Sequence, residues 1–168
     1  MPQYSIPTAD GDVSDWTCST GTSRFALIDE GGTANDSDYI WRSSGSGVPL
    51  NTNDFQVTEI TPLASTGWVL YARAKIESAG TVPLNVSILS NGSTVTGQSF
   101  SVTSTSYVDF TYTLSPSECA AISDWTLTYL IIESHGGGGV NIRVSNAGIM
   151  IPDPTSTKHN RTRMGVGK

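Results

Sequence analysis

Charge is scarce in this chain of 168 residues. Asp, Glu, Lys and Arg make up 14% of it, against the roughly one quarter usual in soluble domains. Long amphipathic stretches of Ala, Glu, Lys and Leu are missing as well, which excludes a helical bundle or coiled coil. No apolar run approaches the ~20 residues of a membrane-spanning helix. Met1–Asp10 has neither the basic nor the apolar region of a secretory signal. Cysteine is limited to Cys18 and Cys119, far apart in sequence. Without a secretory route the expectation is two free thiols, and with two distant histidines they make no zinc site.

Serine and threonine fill the space that charge leaves, with 23 Ser and 21 Thr beside 17 Gly and 8 Pro. Four Trp, six Tyr and four Phe supply core material, so the chain is not a disordered one. The length is that of one domain. The net charge of −6 is unevenly spread, because residues 158–168 hold four bases and no acid. The rest is strongly acidic, a poor surface for nucleic acid.

Short alternating runs dominate the chain. Phe55–Ile60, Trp68–Ile76, Leu84–Ile88, Ser99–Val102, Tyr107–Leu114, Trp125–Ile132, Val140–Val144 and Ala147–Ile151 read as strands, with Asp38–Arg42 before them. Along Trp68–Ile76, Tyr71 faces away from Trp68, Leu70 and Ala72. Asn91–Gly92 is a hairpin turn, since both residues tolerate positive φ. Ser115, Pro116 and Glu118 spell an N-cap, a first helical residue and a capping-box partner, giving one short helix near 115–122. Residues 1–23 read as irregular and polar, and Arg24–Glu30 as a short strand or single turn. The fold class expected is all-β: an antiparallel jelly-roll β-sandwich of about eight strands. Its parts are an N-terminal arm (1–13), the sandwich (14–152) and a basic C-terminal tail (153–168).

Paired catalytic groups are not evident, and the expectation is a protein without enzymatic activity. His135–Gly136–Gly137–Gly138 mimics the oxyanion loop of lipases, but no G-x-S-x-G elbow accompanies it. His159 lies in the tail with no acid–base partner near it in sequence. The sequons at Asn35, Asn85, Asn91 and Asn160 arise readily in so Ser/Thr-rich a chain and read as unglycosylated. Asp29, Glu30, Asp36 and Asp38 form the densest cluster of carboxylates. They are the candidates for a structural calcium ion, although their spacing is not that of an EF-hand loop. No other cofactor is indicated. Trp41, Trp68, Tyr71, Tyr107 and Trp125 are the aromatics available for stacking on a sugar. Core packing claims most strand aromatics, which leaves Trp41 and Tyr71 as the sugar-stacking candidates.

Two stretches carry a resemblance. One runs from Trp16 through Ile28–Asp29–Glu30 to Asp36–Ser37–Asp38–Tyr39–Ile40. The other runs from Leu114–Ser115–Pro116–Ser117–Glu118 through Ile122–Trp125 to Val140–Ser145 and Ile149–Pro152. Together they resemble small jelly-roll proteins of tailed bacteriophages, the capsid decoration (cement) and virion-surface proteins. Their sandwich is similar to the galactose-binding-like module of many carbohydrate-binding proteins. The chain departs from that group at Asn146–Ala147, where an aromatic often precedes the last strand. The resemblance implies a structural virion protein, made in the host cytoplasm and bound to the outer capsid surface. It would be a homotrimer bridging subunits of the major capsid protein. The tail, through Lys158, Arg161, Arg163 and Lys168, would enter an acidic groove on a neighbouring subunit. The alternative is a carbohydrate-binding or host-adhesion module, including a tail or baseplate component.

Overall fold

The computed structural model describes residues 1–42, 51–134 and 139–154. The Ser43–Gly47 loop, His135 to Gly138, and residues 155–168 of the basic tail, His159 among them, lie outside the described residues.

Eleven strands are present among the described residues: β1 (Gln3–Ser5), β2 (Pro7–Ser14), β3 (Thr17–Cys18), β4 (Ile40–Arg42), β5 (Asn51–Val57), β6 (Val69–Ile76), β7 (Val82–Ser90), β8 (Ser93–Val102), β9 (Val108–Thr113), β10 (Thr128–Ser134) and β11 (Ile142–Ile151). One sheet runs β3-β4-β11-β6-β9, with β1 also paired to β11; the other runs β2-β5-β10-β7-β8. Every pairing is antiparallel. Strands β4 to β11 are thus shared four and four between two sheets, in the interleaved order of a jelly roll. β4 and β1 lie end to end along the same edge of β11, against Ile142–Val144 and Ile149–Ile151 respectively.

The alternation that predicts strands also sets the packing. β6, β7 and β10 bury every second residue. Leu70, Ala72, Ala74 and Ile76 meet Leu84, Val86, Ile88, Leu130 and Ile132 in one core between the sheets. Each fully buried Leu or Ile is worth about 1.5–3 kcal/mol. Trp68 and Trp125 close one end of this core, with ring centroids 5.5 Å apart. Both are therefore core residues rather than sugar platforms. Cys119 is buried, Cys18 half-buried, and both are free thiols.

Several local expectations are met. Asn91 (φ 51°) and Gly92 (φ 73°) form the β7–β8 hairpin turn in left-handed conformations. Helix α1 (Pro116–Ala121) begins at a full capping box between Ser115 and Glu118.

Others are corrected. The polar N-terminal segment is not an arm or an irregular lead-in, since residues 3–14 supply one strand to each sheet. Their backbone groups find partners on β11 and β5. Hydropathy alternation is weak there because these strands are edges with one side in solvent. Trp125–Leu127 is a turn of 3-10 helix, which shortens the predicted strand through Trp125, and Phe25–Leu27 is another, the single-turn alternative read for Arg24–Glu30. Val140–Val144 and Ala147–Ile151 are parts of one strand, β11, interrupted by a register shift between Val144 and Asn146. A β-bulge of this kind re-aims side chains without ending the strand.

Candidate functional site

The bulge positions a concavity on the first sheet. Residues 28–38 cross the outer face of the first sheet beside it. The Ile28 carbonyl accepts a hydrogen bond from the Ala147 N–H at 3.3 Å. Asn146 Nδ2 donates to the Gly31 carbonyl at 2.7 Å, and Ser145 Oγ donates to Asp36 Oδ1 at 2.9 Å. Arg73, on the neighbouring strand, holds Asp36 bidentately, with Nε and Nη2 each 2.8 Å from a carboxylate oxygen. Two consecutive bulge side chains and one guanidinium thus pin the segment to the sheet.

Between this segment and the sheet lies a cleft of about 420 Å³. Its floor follows from strand register. Met150 stands beside Val69, Gly148 beside Tyr71 and Asn146 beside Arg73, while on the other side of β6 Thr111 flanks Tyr71 and Asp109 flanks Arg73. Tyr4 of β1, opposite Met150, forms one wall, and Gly31, Gly32 and Ala34 form another. The Tyr4 and Tyr71 rings meet edge to face, with centroids 6.2 Å apart and planes at 87°.

Glycine is required at two of these positions. A Cβ on Gly148 would stand 2.7 Å from the Ser5 carbonyl and 2.8 Å from the Tyr71 hydroxyl, so the phenol lies over bare backbone. A Cβ on Gly32 would stand 2.8 Å from the Tyr4 hydroxyl. Burial pushes the Tyr71 hydroxyl's pKa up, with smaller contributions from Tyr4 and Glu30, so Tyr71 is a neutral phenol at any ordinary pH.

The cleft has an apolar and a polar end. Val69, Met150 and the Tyr4 ring make the first. The second is Arg73, Asp109 and Asn146. Arg73 Nη1 donates to Asp109 Oδ1 at 3.0 Å, so one guanidinium bridges two carboxylates. Asn146 is 4% exposed, and its Oδ1 has no hydrogen-bond donor among the described residues.

The calcium candidates do not assemble. Asp36 is committed to Arg73 and Ser145, which hold its carboxyl below the usual range. Asp38 Oδ2 accepts from Asn35 Nδ2 at 2.7 Å. The Glu30 carboxyl is pushed up to about 6, first by burial and further by Asp29, Asp38 and Asp36, against an opposing backbone hydrogen bond. Among the described residues no three His, Cys, Asp or Glu side chains converge as metal ligands would. An acidic run in sequence becomes a cage only if the backbone curls its carboxylates inward, and here Arg73 and Ser145 take Asp36 while Asn35 takes Asp38.

The sugar-stacking candidates separate. Tyr71 lines the cleft, as its outward register requires. Trp41 is half-buried on β4, paired with Arg143, whose neighbour across β11 is Lys75. Lys75 lies four residues along β6 from Tyr71, about 13 Å at ~3.3 Å per residue, and Trp41 lies two strands further across the sheet. Trp41 and Tyr71 therefore cannot stack on one sugar ring. Tyr107 sits half-buried beneath Lys75, whose ammonium is 4.7 Å from the ring centroid, and Arg143 stacks on Tyr39 at 4.3 Å.

Tyr4, Arg73, Asp109 and Asn146 escape the sequence reading. Tyr4 is hidden in a segment that reads as an arm, and Arg73 and Asp109 look like solvent-facing strand charges. Asn146 alone gives a signal, since it stands where the resembling group often has an aromatic.

No family model matches the chain, and no curated protein matches it. Solved structures similar to it include a family 16 carbohydrate-binding module (14% identity, TM-score 0.45, covering 83% of this chain and 89% of that one). Another is the module TmCBM61 in complex with β-1,4-galactotriose (9%, TM-score 0.41, covering 84% and 92%). A third is the enzymatically active domain of tailspike protein 4 of bacteriophage CBA120 (13%, TM-score 0.45), where the match spans 88% of this chain and 19% of that one. Similarity at this level assigns neither ligand nor partner.

Proposed function

We propose that the chain is a carbohydrate-binding domain whose ligand site is the cleft on the outer face of the first sheet, and that it binds without catalysing a reaction. The observation that carries this reading is the cleft's two-ended lining. Val69, Met150 and the Tyr4 ring offer an apolar surface, while Asp109, Asn146 and Arg73 stand within the same concavity. A pyranose has the matching construction, with C–H groups on its faces and hydroxyls at its rim. Binding sites for small ligands combine largely apolar walls with a few fixed polar groups in this way. Pinning of residues 28–38 by Ser145, Asn146 and Arg73 favours a cleft formed before the ligand arrives, which lowers the entropic cost of binding.

The capsid decoration reading rests on the resemblance, and the residues it would bind through, Lys158, Arg161, Arg163 and Lys168, lie outside the described residues. The cleft favours glycan recognition over clamping of the major capsid protein. In the virion setting that the resemblance implies, the domain would serve attachment to a host glycan.

The test is titration calorimetry of the full chain against glucose-, galactose- and mannose-based trisaccharides, including β-1,4-galactotriose. Saturable binding to at least one is expected. Tyr4→Ala should weaken it about tenfold, the size of a lost well-packed aromatic contact, and Trp41→Ala should leave it within twofold. Equal losses in both variants, or loss in Trp41→Ala alone, would move the site off the cleft.

A further inference from the structure

We infer that the cleft selects uncharged, hydroxyl-rich saccharides and rejects anionic ones, with Asp109 as the specificity-determining residue. This rests on the carbohydrate-binding reading of the same cleft. Its basis is the balance of donors and acceptors at the polar end. Among the described residues Arg73 is the only cation lining the cleft. Its Nε and Nη2 are engaged by Asp36 and its Nη1 by Asp109. Those three nitrogens each donate to a protein carboxylate, so two carboxylates offset the guanidinium's charge and only the second N–H of each Nη is left to a ligand.

Acceptors, in contrast, are in surplus. The Asp109 side chain is 69% exposed, and only its Oδ1 faces Arg73. Its Oδ2 is therefore open to ligand hydroxyls, and the ion pair fixes the carboxylate's orientation. On the other side of Arg73, the buried Asn146 Oδ1 has no donor among the described residues, and its lone pairs add negative potential to the floor. Asp36 and Glu30 add carboxylates nearby, with Lys75 as well as Arg73 acting on Asp36, and Glu30 is mostly ionised above pH of about 6.

A ligand that brings O–H donors satisfies this arrangement. A ligand carboxylate would face Asp109 at contact distance, with Arg73 already paired to two carboxylates, and like charges at ~4 Å repel by about 1–4 kcal/mol in partly hydrated surroundings. Charge-assisted bonds to Asp109 are roughly twice as strong as neutral ones, so the same residue favours the hydroxyl ligand and excludes the acid.

The test compares the tightest-binding neutral trisaccharide with its counterpart carrying a terminal uronate, on the native chain and on Asp109→Asn, at 20 mM and 500 mM NaCl. At low salt the native chain should prefer the neutral ligand by about tenfold or more. High salt should shrink that preference. Asp109→Asn keeps the shape and removes the charge, and should narrow it to about threefold or less. The substitution loses one exposed ion pair, worth about 0–1 kcal/mol, so folding should persist. Should it not, the salt dependence of the native chain's preference still decides. Equal or tighter uronate binding by the native chain, a preference indifferent to salt, or one unchanged in a folded Asp109→Asn would overturn the inference. Failure of every trisaccharide, neutral or acidic, is a separate outcome: it removes the carbohydrate reading, and this inference with it.

Discussion

Single atoms decide the cleft's shape. Gly148 is the clearest case, because a methyl group there meets a backbone carbonyl on one side and the Tyr71 hydroxyl on the other. Gly148→Ala should lower stability by about 1–3 kcal/mol, the usual result of forcing extra volume into a packed site. It should also displace the Tyr71 ring, read as a loss of melting temperature together with changed near-ultraviolet dichroism. Glu30 gives a pH effect of defined sign. Its folded pKa of about 6 lies above the ordinary 4.5, so between those values the folded state holds more protons than the unfolded one. Stability should rise as pH falls from above 6 towards 4.5. Glu30→Gln should be the more stable form at pH 7.5 and should lose that rise, which paired urea denaturations at pH 7.5 and 5 would show. Equal pH slopes in both proteins would contradict it.

Among the elements, the ones most legible in sequence are those with local causes. Helix α1 depends on its cap: Ser115 Oγ accepts from the Glu118 N–H, and Glu118 Oε2 accepts from the Ser115 N–H. Burial opposes ionisation of Glu118, yet hydrogen bonds from Thr96, Ser115 and Tyr112 hold its carboxyl down to about 2. Ser115→Ala should cost about 1 kcal/mol, measurable as a shifted urea midpoint. The Asn91–Gly92 hairpin and the strands β6, β7 and β10 were equally readable, since alternation and positive φ are written within a few residues. Strand β11 was not, because the bulge that joins its halves is stabilised by Ile28, Gly31 and Asp36, far away in sequence. The edge strands β1 and β2 carry little hydropathy signal, and their pairing comes from β11 and β5. The acidic run showed the reverse limit. Its composition was plain, but its use as an anchor for Arg73 instead of a metal site depends on a residue of β6.

At the scale of the whole molecule, the jelly roll follows from the strand pattern, and the cleft follows from what the jelly roll does at one place. Strands β1 and β4 share one edge of β11, the bulge lies between them, and residues 28–38 cross the sheet there. Of the two aromatics proposed for sugar stacking, the register of β6 puts Tyr71 in the cleft and the register of β4 puts Trp41 well away from it. The most direct measurement of the site is a two-dimensional amide and side-chain NMR titration of the full chain with the trisaccharide that binds most tightly. Saturable shifts should concentrate at Tyr4, Gly31, Gly32, Tyr71, Arg73, Asp109 and the Asn146 side-chain amide, with Trp41 and the outer face of the second sheet unmoved. Shifts centred on Trp41 or on the second sheet, with the cleft residues silent, would contradict the assignment of the cleft as the binding site.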